Sequence, residues 1–311
     1  MGDNLAGDWR QSKVVRRVKR FWYAFLRTLS VDETKLDIDF EIEEEPEEEE
    51  ILGPWHPKTI EMIEAIWGRG FNMPGGAQHA LTLAKPFALD NQMNLLDLTS
   101  GMAGGTIAVV SQFGCYATLL ENVPELAEIS KRNIDMSQTR SKVKLQEYDP
   151  AKITLKANSF DCILTREFLF RTEDKTRMLR TLKRALRMYG QLSLTDFVLP
   201  PGKEPSAAVQ KWIKNDPFPI HLWPMDRYDA EMAALEMDVR VSENISKDYH
   251  GYMTKAFQSF IDRYQEGKIT ATPRQLEILM GEVERWARLA ALLEAGEIRL
   301  HRYFALKPVK A

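Results

Sequence analysis

Cysteines, long apolar runs and a recognisable leader are scarce or missing in this sequence of 311 residues. The two cysteines, Cys115 and Cys162, have neither metal-ligand spacing nor a CxxC arrangement, so we predict buried thiols in a reducing compartment and no metal site. No apolar run reaches the roughly 18 residues that span a bilayer. The basic N-terminus lacks the apolar h-region and the small-residue cleavage site of a secretory signal. These absences predict a cytoplasmic protein.

The composition is that of a soluble globular protein, with 44% apolar and 28% charged residues. The chain is long enough for one large or two ordinary domains. Its charge is unevenly spread, because residues 9–30 carry seven basic and no acidic side chains whereas residues 37–50 carry ten acidic and no basic ones. We therefore predict a basic helix within 1–30, an acidic linker at 31–53 and a folded body at 54–311.

The basic segment has the pattern of an amphipathic helix. In WRQSKVVRRVKRFWYAFLRTL, residues 9–29, six apolar side chains fall on one helical stripe: Val14, Val18, Phe21, Trp22, Phe25 and Leu29. Basic residues beside tryptophan and phenylalanine are typical of helices on an anionic membrane surface, which predicts peripheral membrane association. The stripe could instead dock on a protein partner or pack on the body. Nucleic acid is least favoured, because the body has no matching basic face.

Short β-rich runs alternate with helical patterns in the body. Strands are predicted at 95–99, 116–120, 142–148, 160–164 and 191–197. Helices are predicted at 124–136 and 174–188, the second ended by Gly190 as a left-handed C-cap. This alternation predicts βαβ units, and so an α/β protein with a Rossmann-like, doubly wound and mostly parallel sheet.

The last third of the chain has a different pattern. Runs at 237–245 and 297–309 alternate apolar and polar residues, which predicts antiparallel or edge strands. Between them, a helical pattern rich in methionine, phenylalanine and tryptophan predicts a helical cap near 246–295.

A glycine-rich turn follows the first predicted strand. The stretch NLLDLTSGMAGGT, residues 94–106, carries Thr99 and Ala103 where tight turns favour glycine. Its spacing is not that of a dinucleotide or P-loop motif. Acidic residues end the first three strands: Asp97, Glu121 and Asp149. Because ligands of open α/β sheets bind beyond the carboxyl ends of the strands, these acids suit a sulfonium, a ribose diol and an amino group, as in S-adenosylmethionine (SAM).

This order of elements resembles the class I SAM-dependent methyltransferases, and it is most similar to the phosphoethanolamine N-methyltransferase and sarcosine/dimethylglycine methyltransferase group. Three stretches carry the resemblance: IWGRGFNMPGG at 66–76, residues 159–197 with their Arg166–Glu167 pair, and the terminal IRLHRYFALKP. In that group the first stretch closes over the cofactor. The resemblance implies SAM as the cofactor and the following binding residues: Asp97, Thr99, Gly101, Glu121, Asn122, Asp149 and Arg166.

The expected reaction chamber departs from the family pattern. By alignment, Trp55 and Arg171 stand where the family has a Tyr–His pair, and Phe197 stands where it has a substrate-binding tyrosine. His221 is the histidine that best suits the chamber, although a lone histidine is more often structural. Arginine is no base at neutral pH and would repel a quaternising ammonium, whereas it suits a phosphate or carboxylate. We therefore predict no methylation of phosphoethanolamine and leave the catalytic residues unassigned.

Two functions stay open at this point. We predict a SAM-dependent methyltransferase that acts on a small molecule or a lipid headgroup at the cytoplasmic membrane face, with residues 9–29 contacting an anionic membrane or a protein partner. The alternative is a catalytically inactive, methyltransferase-like scaffold or assembly subunit, because the residues that would grip SAM are kept while those that would handle an amine acceptor are not.

Overall fold

A computed structural model of the chain describes residues 53–98 and 101–308. The predicted basic helix at 9–29, the acidic linker up to residue 52 and Thr99 of the glycine-rich turn lie outside the described residues. The predictions made for them stay predictions.

Helices and strands alternate through the described residues. The helices are α1 (Pro57–Trp67), α2 (Gly76–Ala84), α3 (Gly104–Phe113), α4 (Pro124–Met136), α5 (Lys175–Ala185), α6 (Ala207–Asn215), α7 (Met225–Ala234), α8 (Ser246–Gln265) and α9 (Pro273–Glu294). The strands are β1 (Asn94–Asp97), β2 (Tyr116–Glu121), β3 (Val143–Glu147), β4 (Phe160–Arg166), β5 (Leu186–Leu199), β6 (Trp223–Pro224), β7 (Asp238–Asn244) and β8 (Arg299–Leu306).

The strands form one sheet in the order β3-β2-β1-β4-β5-β8-β7, and β6 adds a short pairing to β5. The first five strands of this order are parallel. β8 is antiparallel to both β5 and β7. The predicted parallel core with antiparallel edge strands is confirmed.

Apolar side chains cover both faces of the sheet. Consecutive strand residues alternate between two buried clusters, so Leu95 and Leu164 pack in one cluster while Leu96 and Ile163 pack in the other. Helices α2, α3 and α4 contribute to the first cluster, and α5 and α7 contribute to the second. Helices on both faces are what a doubly wound sheet requires. The predicted fold class is therefore confirmed.

The chain divides into two compact units. The larger comprises Trp67–Tyr252 together with the last strand, and it contains the whole sheet. Among the described residues, the smaller comprises residues 53–66 together with Met253–Ala291, and it is helical. Inside the smaller unit, Gln275 Nε2 donates to Glu61 Oε2 at 2.9 Å, which ties α9 to α1.

The end of helix α5 differs from the prediction. The helix stops at Ala185, and residues 186–190 already belong to β5. Gly190 is a strand residue and not a left-handed C-cap, whereas Tyr189 takes the positive φ of +61°. The reason is tertiary: Leu186 pairs with Phe160 of β4, and this pairing outweighs the local helical pattern.

Two further sequence expectations can be compared with the structure. Both cysteines are buried free thiols, as predicted, and burial raises the pKa of Cys115 to about 11. Within residues 53–98 and 101–308, none of the helices combines the length and the apolar character needed to traverse a bilayer.

Candidate active site

The glycine-rich turn joins β1 to α3 at the carboxyl edge of the sheet. Gly101 has φ +47° and Ala103 has φ +68°, so both take the left-handed conformation that favours glycine. Side chains of α4 hold the turn in place, because Ser130 Oγ donates to Gly101 O at 3.1 Å and Asn133 Nδ2 donates to Met102 O at 2.9 Å. Ala103 thus takes at this turn the positive φ that glycine adopts without strain.

The segment before α2, residues 67–76, lies against this turn. The backbone N–H of Gly104 donates to Gly70 O at 3.0 Å. A Cβ at Gly104 would lie 2.4 Å from that oxygen, and one at Gly101 would lie 2.4 Å from Asn72 Oδ1. The contact therefore requires glycine at 104, where the obstructing atom belongs to the backbone, whereas a side chain at 101 would displace the Asn72 side chain. We call residues 67–76 the closing segment.

Two charged side chains support the turn from below. Asp97, the last residue of β1, is fully buried and accepts a hydrogen bond of 2.8 Å from Thr106 Oγ1. Arg166, the last residue of β4, places its guanidinium 4.0 Å from the Asp97 carboxylate. A Cβ at Gly105 would lie 2.3 Å from that guanidinium. Asp97 and Arg166 therefore fix the start of α3 from two neighbouring strands.

Glu121 is the last residue of β2, and its two carboxylate oxygens differ. One accepts backbone hydrogen bonds, and the other has no hydrogen-bond partner among the residues that the structure describes. Its Oε1 accepts from the backbone N–H groups of Asn122 and Val123, both at 2.8 Å. Its Oε2 is buried and has no hydrogen-bond partner among the described residues. Burial raises the pKa of Glu121 to about 7, against the lowering effect of the two backbone hydrogen bonds. The buried hydroxyl of Tyr148 likewise has no partner in the described part of the chain.

Asp149 lies two residues beyond the last residue of β3 and is exposed to solvent. Its Oδ1 accepts from the backbone N–H of Ala151 at 2.9 Å, and its Oδ2 lies 3.5 Å from Lys152 Nζ. The sheet thus brings Asp97, Gly101, Glu121 and Arg166 to one edge, with Asn122 and Asp149 following on the same edge. Their roles as cofactor ligands stay predictions.

Arg171 is bound to a neighbouring loop. Its Nη1 donates to Asp216 Oδ1 at 2.7 Å and to the carbonyl oxygen of Phe218 at 2.8 Å. Its guanidinium carbon also lies 4.3 Å from the ring centroid of Phe170. The Asp216 side chain is only 2% exposed. This carboxylate compensates the arginine charge, so the electrostatic argument against an ammonium acceptor loses its main support.

Phe197 belongs to a packed aromatic cluster. Its ring lies edge-on to Phe170, with a centroid distance of 5.0 Å, and to Tyr249 at 5.8 Å. Trp212 stacks on Phe170 at 6.4 Å. These four rings are buried. The cluster places rings packed on one another where the family pattern has a tyrosine hydroxyl.

His221 and Trp55 have different settings. The backbone of His221 is bound to the segment that follows β4 and to the start of α5. Its N–H donates to Phe170 O at 2.6 Å, and its carbonyl oxygen accepts from Lys175 Nζ. The structure therefore shows a backbone role for this position. Trp55 lies in the turn before α1, in the smaller unit, and is partly exposed.

A buried polar cluster lies beneath the aromatic rings. Asp196 accepts from Phe170 N at 2.7 Å and from Tyr228 Oη at 2.5 Å. Burial raises the pKa of Asp196 to about 6, partly offset by the neighbouring Lys175. Burial likewise lowers the pKa of Lys175 to about 8. The hydrogen bonds of Asp196 attach the segment after β4 to β5, so this aspartate supports the site from within the core.

His79 was not among the residues predicted for the site. This histidine of α2 is buried beside Glu167, the residue after β4, with Nε2 3.2 Å from Oε1. No local signal could have joined residues that lie 88 positions apart. The one available cue was the acidic residue directly after Arg166.

Comparisons with known proteins agree with this geometry. Residues 96–194 match the family described as a methyltransferase domain. Phosphoethanolamine N-methyltransferase 1 of Arabidopsis thaliana is 26% identical over 162 residues, which cover 51% of this chain and 32% of that protein. The phosphoethanolamine N-methyltransferase of Plasmodium falciparum is 18% identical over 246 residues, which cover 75% of this chain and 90% of that protein.

Solved structures match at the level of the fold. Phosphoethanolamine N-methyltransferase 2 of Haemonchus contortus, solved in complex with SAM, has a TM-score of 0.71 at 17% identity, covering 82% of this chain and 58% of that one. A structure assigned to a sarcosine dimethylglycine methyltransferase of Galdieria sulphuraria has a TM-score of 0.63 at 16% identity, covering 74% and 86%.

The chain therefore shares the fold of these solved methyltransferases, and its residues 96–194 resemble the methyltransferase domain. The predicted resemblance to the phosphoethanolamine and sarcosine/dimethylglycine methyltransferase group is confirmed. The matches also support the prediction of a SAM-dependent enzyme. The chain spans 32% and 39% of the lengths of the Arabidopsis and maize relatives.

Proposed function

We propose that the protein binds SAM at the carboxyl edge of β1, β2 and β4 and transfers its methyl group to a small-molecule acceptor. One observation carries the proposal: Glu121 holds a buried carboxylate oxygen without a partner at the end of β2. A buried acceptor left unpaired is costly in a folded protein, so this oxygen is best explained by a ligand donor.

The residues at this edge fit the proposed cofactor. Glu121 Oε2 would accept from the ribose hydroxyls, as acidic residues at this position do in related folds. The turn at Gly101 would lie beside the amino-acid end of the cofactor, with Asp97 and Arg166 fixing the backbone below. SAM supplies an electrophilic methyl group when it is bound. The protein's part is to hold the acceptor in line with that group and to keep water away.

The acceptor side supports only a broad class of substrate. Arg171 is paired with Asp216, and the cluster around Phe197 presents rings in place of hydroxyl groups. Aromatic faces attract cations as well as apolar groups. We therefore propose a small molecule or lipid headgroup without requiring a negative charge, and phosphoethanolamine belongs in the first set of acceptors tested.

Calorimetry and labelling would test the proposal in sequence. The full chain is titrated with SAM and with S-adenosylhomocysteine, and then incubated with methyl-labelled SAM and either phosphoethanolamine or a small-molecule extract. We expect binding of both ligands and transfer of label to an extracted compound. Absence of SAM binding would overturn the assignment of the carboxyl edge. Transfer to phosphoethanolamine would overturn the sequence-based argument from Arg171.

A second candidate function follows from the altered acceptor side. Replacement of the family's Tyr–His pair and the filled aromatic cluster favour a methyltransferase-like scaffold that keeps SAM for structure. The same experiment separates the two proposals, because a scaffold would bind SAM tightly and transfer label to no compound in the extract.

We also propose that residues 9–29 bring the protein to an anionic membrane surface. The support is the sequence alone, with seven basic residues flanking one apolar stripe. A chain lacking residues 1–30 should lose binding to phosphatidylserine vesicles while still binding SAM. Binding of the full chain should weaken at high salt, because exposed charges are screened. Failure of the full chain to bind vesicles at low salt would assign the segment to a protein partner or to the body.

A further inference from the structure

Residues 187–190 form a bulge at the amino end of β5. Between two paired positions, β5 has these four residues where β4 has one. Two backbone hydrogen bonds attach the bulge to the end of β8: the N–H of Tyr189 donates to Lys307 O at 3.0 Å, and the N–H of Lys307 donates to Gly190 O at 2.8 Å. A bulge turns side chains away from the regular alternation of a sheet, so this one fixes the direction of the side chains it carries.

The bulge presents two consecutive apolar side chains to solvent. Met188 is 61% exposed and Tyr189 is 69% exposed. Tyr189 also has φ +61°, a conformation that is uncommon for a bulky side chain. Single exposed apolar residues are ordinary on a protein surface. Two adjacent ones, held outwards on a strained backbone, are better explained by a partner that covers them.

Basic side chains surround the bulge. Arg180 and Arg184 of α5 line an open groove of about 320 Å³. Lys307 Nζ donates to Asn158 Oδ1 at 3.1 Å, and the N–H of Asn158 donates to Arg184 O at 3.1 Å, which brings the ends of β8 and α5 together. Lys156, two residues before Asn158, is exposed. We call the two apolar and four basic residues the amino-edge patch: Met188, Tyr189, Lys156, Arg180, Arg184 and Lys307.

The positive charge of the amino-edge patch is not neutralised by the protein. Within residues 53–98 and 101–308, none of its four basic side chains forms an ion pair with a carboxylate. The acidic residues of this region pair with other cations, Asp161 with Arg187 at 2.6 Å and Glu236 with Lys183 at 3.6 Å. Burial lowers the pKa of Lys307, and the nearby charge of Lys183 lowers it further. The region therefore has an excess of positive charge that an anionic partner would offset.

The amino-edge patch lies at the opposite edge of the sheet from the candidate cofactor site. Asp97, Glu121 and Arg166 are the last residues of β1, β2 and β4. The bulge lies near the first residue of β5, which runs parallel to β4. The proposed methyl transfer therefore makes no use of the patch.

We propose that the amino-edge patch is a second contact with an anionic membrane surface, made by the folded body in addition to residues 9–29. Met188 and Tyr189 enter the headgroup region, where amphipathic aromatic rings are favoured. The four basic side chains contact the anionic headgroups. A protein partner fits less well, because specific interfaces bury about 800 Å² on each side, far more than two projecting side chains supply. Stable attachment takes two weak membrane signals, so residues 9–29 tether the chain and the patch orients it.

The buried thiols allow a direct test on the full chain. Cys115 and Cys162 are the two cysteines of the sequence and are both 0% exposed, so an introduced surface cysteine is labelled alone. M188C carrying an environment-sensitive dye is mixed with vesicles of phosphatidylserine and phosphatidylcholine. We expect its emission to shift to the blue and to increase. E204C is the matched control, because Glu204 is exposed beyond the carboxyl end of β5, and its dye should not respond.

A double substitution tests the apolar part of the amino-edge patch. M188Q/Y189N removes both apolar side chains, and asparagine is among the residues that adopt a positive φ most readily, so the bulge should keep its shape. Sedimentation of the full chain with phosphatidylserine vesicles should weaken by roughly tenfold, because the apolar contact with the headgroup region is lost. SAM affinity should stay within about threefold, since the patch is remote from the carboxyl edge.

A second double substitution tests the basic part. K156Q/R180Q removes two charges whose side chains make no hydrogen bond or ion pair in the part of the chain that the structure describes. Binding to the same vesicles should weaken by roughly 10- to 30-fold, since each charge near an anionic surface contributes about fivefold. K203Q/K211Q is the matched control, because it removes two exposed charges beyond the carboxyl end of β5. It should bind within about threefold of the wild type.

The outcomes separate this inference from the proposed roles of SAM and of residues 9–29. A response at position 188 without one at 204, lost vesicle affinity in both patch variants and unchanged SAM binding support it. A chain that binds vesicles with a silent dye at 188, or with equal responses at 188 and 204, overturns it and leaves the role of residues 9–29 in place. A dye response that persists without residues 1–30 supports the patch and overturns the tether. Failure of the full chain to bind vesicles at low salt overturns both membrane contacts and leaves the methyltransferase function untouched.

Discussion

The two halves of the carboxyl edge use their buried carboxylates differently. On the β2 side, Glu121 is held by two backbone N–H groups and keeps one oxygen open. On the β4 and β5 side, three carboxylates each accept from a side chain: Glu167 from Thr195, Asp196 from Tyr228 and Asp216 from Arg171. Asp196 and Asp216 each accept one backbone N–H as well. Backbone donors are fixed by the fold itself, whereas side-chain partners change by substitution. If the proposed assignment holds, the side of the edge that binds the cofactor depends less on exchangeable side chains than the acceptor side does.

A substitution at the contact between the closing segment and the glycine-rich turn should have the largest effect on stability and on SAM binding. Gly104→Ala would put a methyl group 2.4 Å from Gly70 O, a backbone atom that cannot move aside easily. We expect the free energy of unfolding to fall by about 2–4 kcal/mol, from overpacking and from loss of the Gly104–Gly70 hydrogen bond. Denaturant unfolding and SAM calorimetry would measure the two losses.

Gly281→Ala is the matched control for that substitution. Gly281 lies within α9, and a Cβ there would meet nothing within 4 Å. Alanine should therefore raise stability by up to about 1 kcal/mol, because it favours helix more than glycine does. Equal effects of the two substitutions would mean that the contact between the closing segment and the turn is not important.

Removal of the Glu121 carboxylate comes next in expected size. Glu121→Ala should weaken SAM binding by about 1–3 kcal/mol, since a buried charge-assisted hydrogen bond to the ribose is lost. Glu121→Gln should lose less, because the amide oxygen can still accept. Isothermal titration of the three proteins at one pH would measure the differences. Wild-type affinity in both variants would show that the end of β2 does not hold the ribose.

The raised pKa of Glu121 predicts a pH dependence of the same interaction. The ionised carboxylate is the better acceptor, and it is depleted as the pH falls below about 7. SAM affinity should therefore drop as the pH is lowered from about 8 to about 6, by up to about tenfold per unit below the pKa. Binding near neutral pH should also release protons, which calorimetry in buffers of different ionisation enthalpy detects.

The stability of the ligand-free protein should respond in the opposite sense. A carboxyl whose folded-state pKa is raised from 4.5 to about 7 stabilises the fold below the lower value. That contribution is lost as the pH rises towards the higher value. Glu121→Gln removes the titrating group, so its affinity and this part of its stability should be flat over the same range. A flat wild-type profile would contradict the assignment of the titration to Glu121.

Local pattern predicted most of the fold. The helix at Pro124–Met136 matches its predicted range, and the parallel strands lie where the apolar runs are. The end of α5 was missed because the sheet, and not the helix, determines the conformation of residues 186–190. A glycine that follows a helical pattern indicates a C-cap only when the residues before it do not pair with a neighbouring strand.

The candidate site could be predicted only in part. Adjacent parallel strands bring their ends together, so the acids that end β1 and β2 could be assigned to one edge from their order alone. The pairs Arg171–Asp216 and His79–Glu167 join residues 45 and 88 positions apart. Such contacts depend on how the loops fold back, and no periodicity in the sequence encodes them.

The smallest expected effect concerns the alanine in the glycine-rich turn. Ala103 has φ +68°, which costs a side chain about 1–2 kcal/mol relative to its usual conformations. Its methyl group is fully buried in the core, and that burial stabilises the folded state by about 0.8 kcal/mol. Ala103→Gly relieves the strain but loses the burial and adds about 0.5–1 kcal/mol of chain entropy in the unfolded state.

These opposing contributions nearly cancel, so Ala103→Gly should change the free energy of unfolding by less than about 1 kcal/mol. SAM affinity should stay within about threefold, because the turn already has the left-handed geometry that glycine would supply. Chemical denaturation and SAM titration of the variant would measure both quantities. A tenfold or greater gain in SAM affinity would mean that the alanine methyl obstructs the cofactor, and that the turn of this protein has lost part of its binding capacity. The geometry instead indicates that the turn keeps its binding capacity, because Ala103 adopts the left-handed conformation of a glycine and the turn keeps its shape.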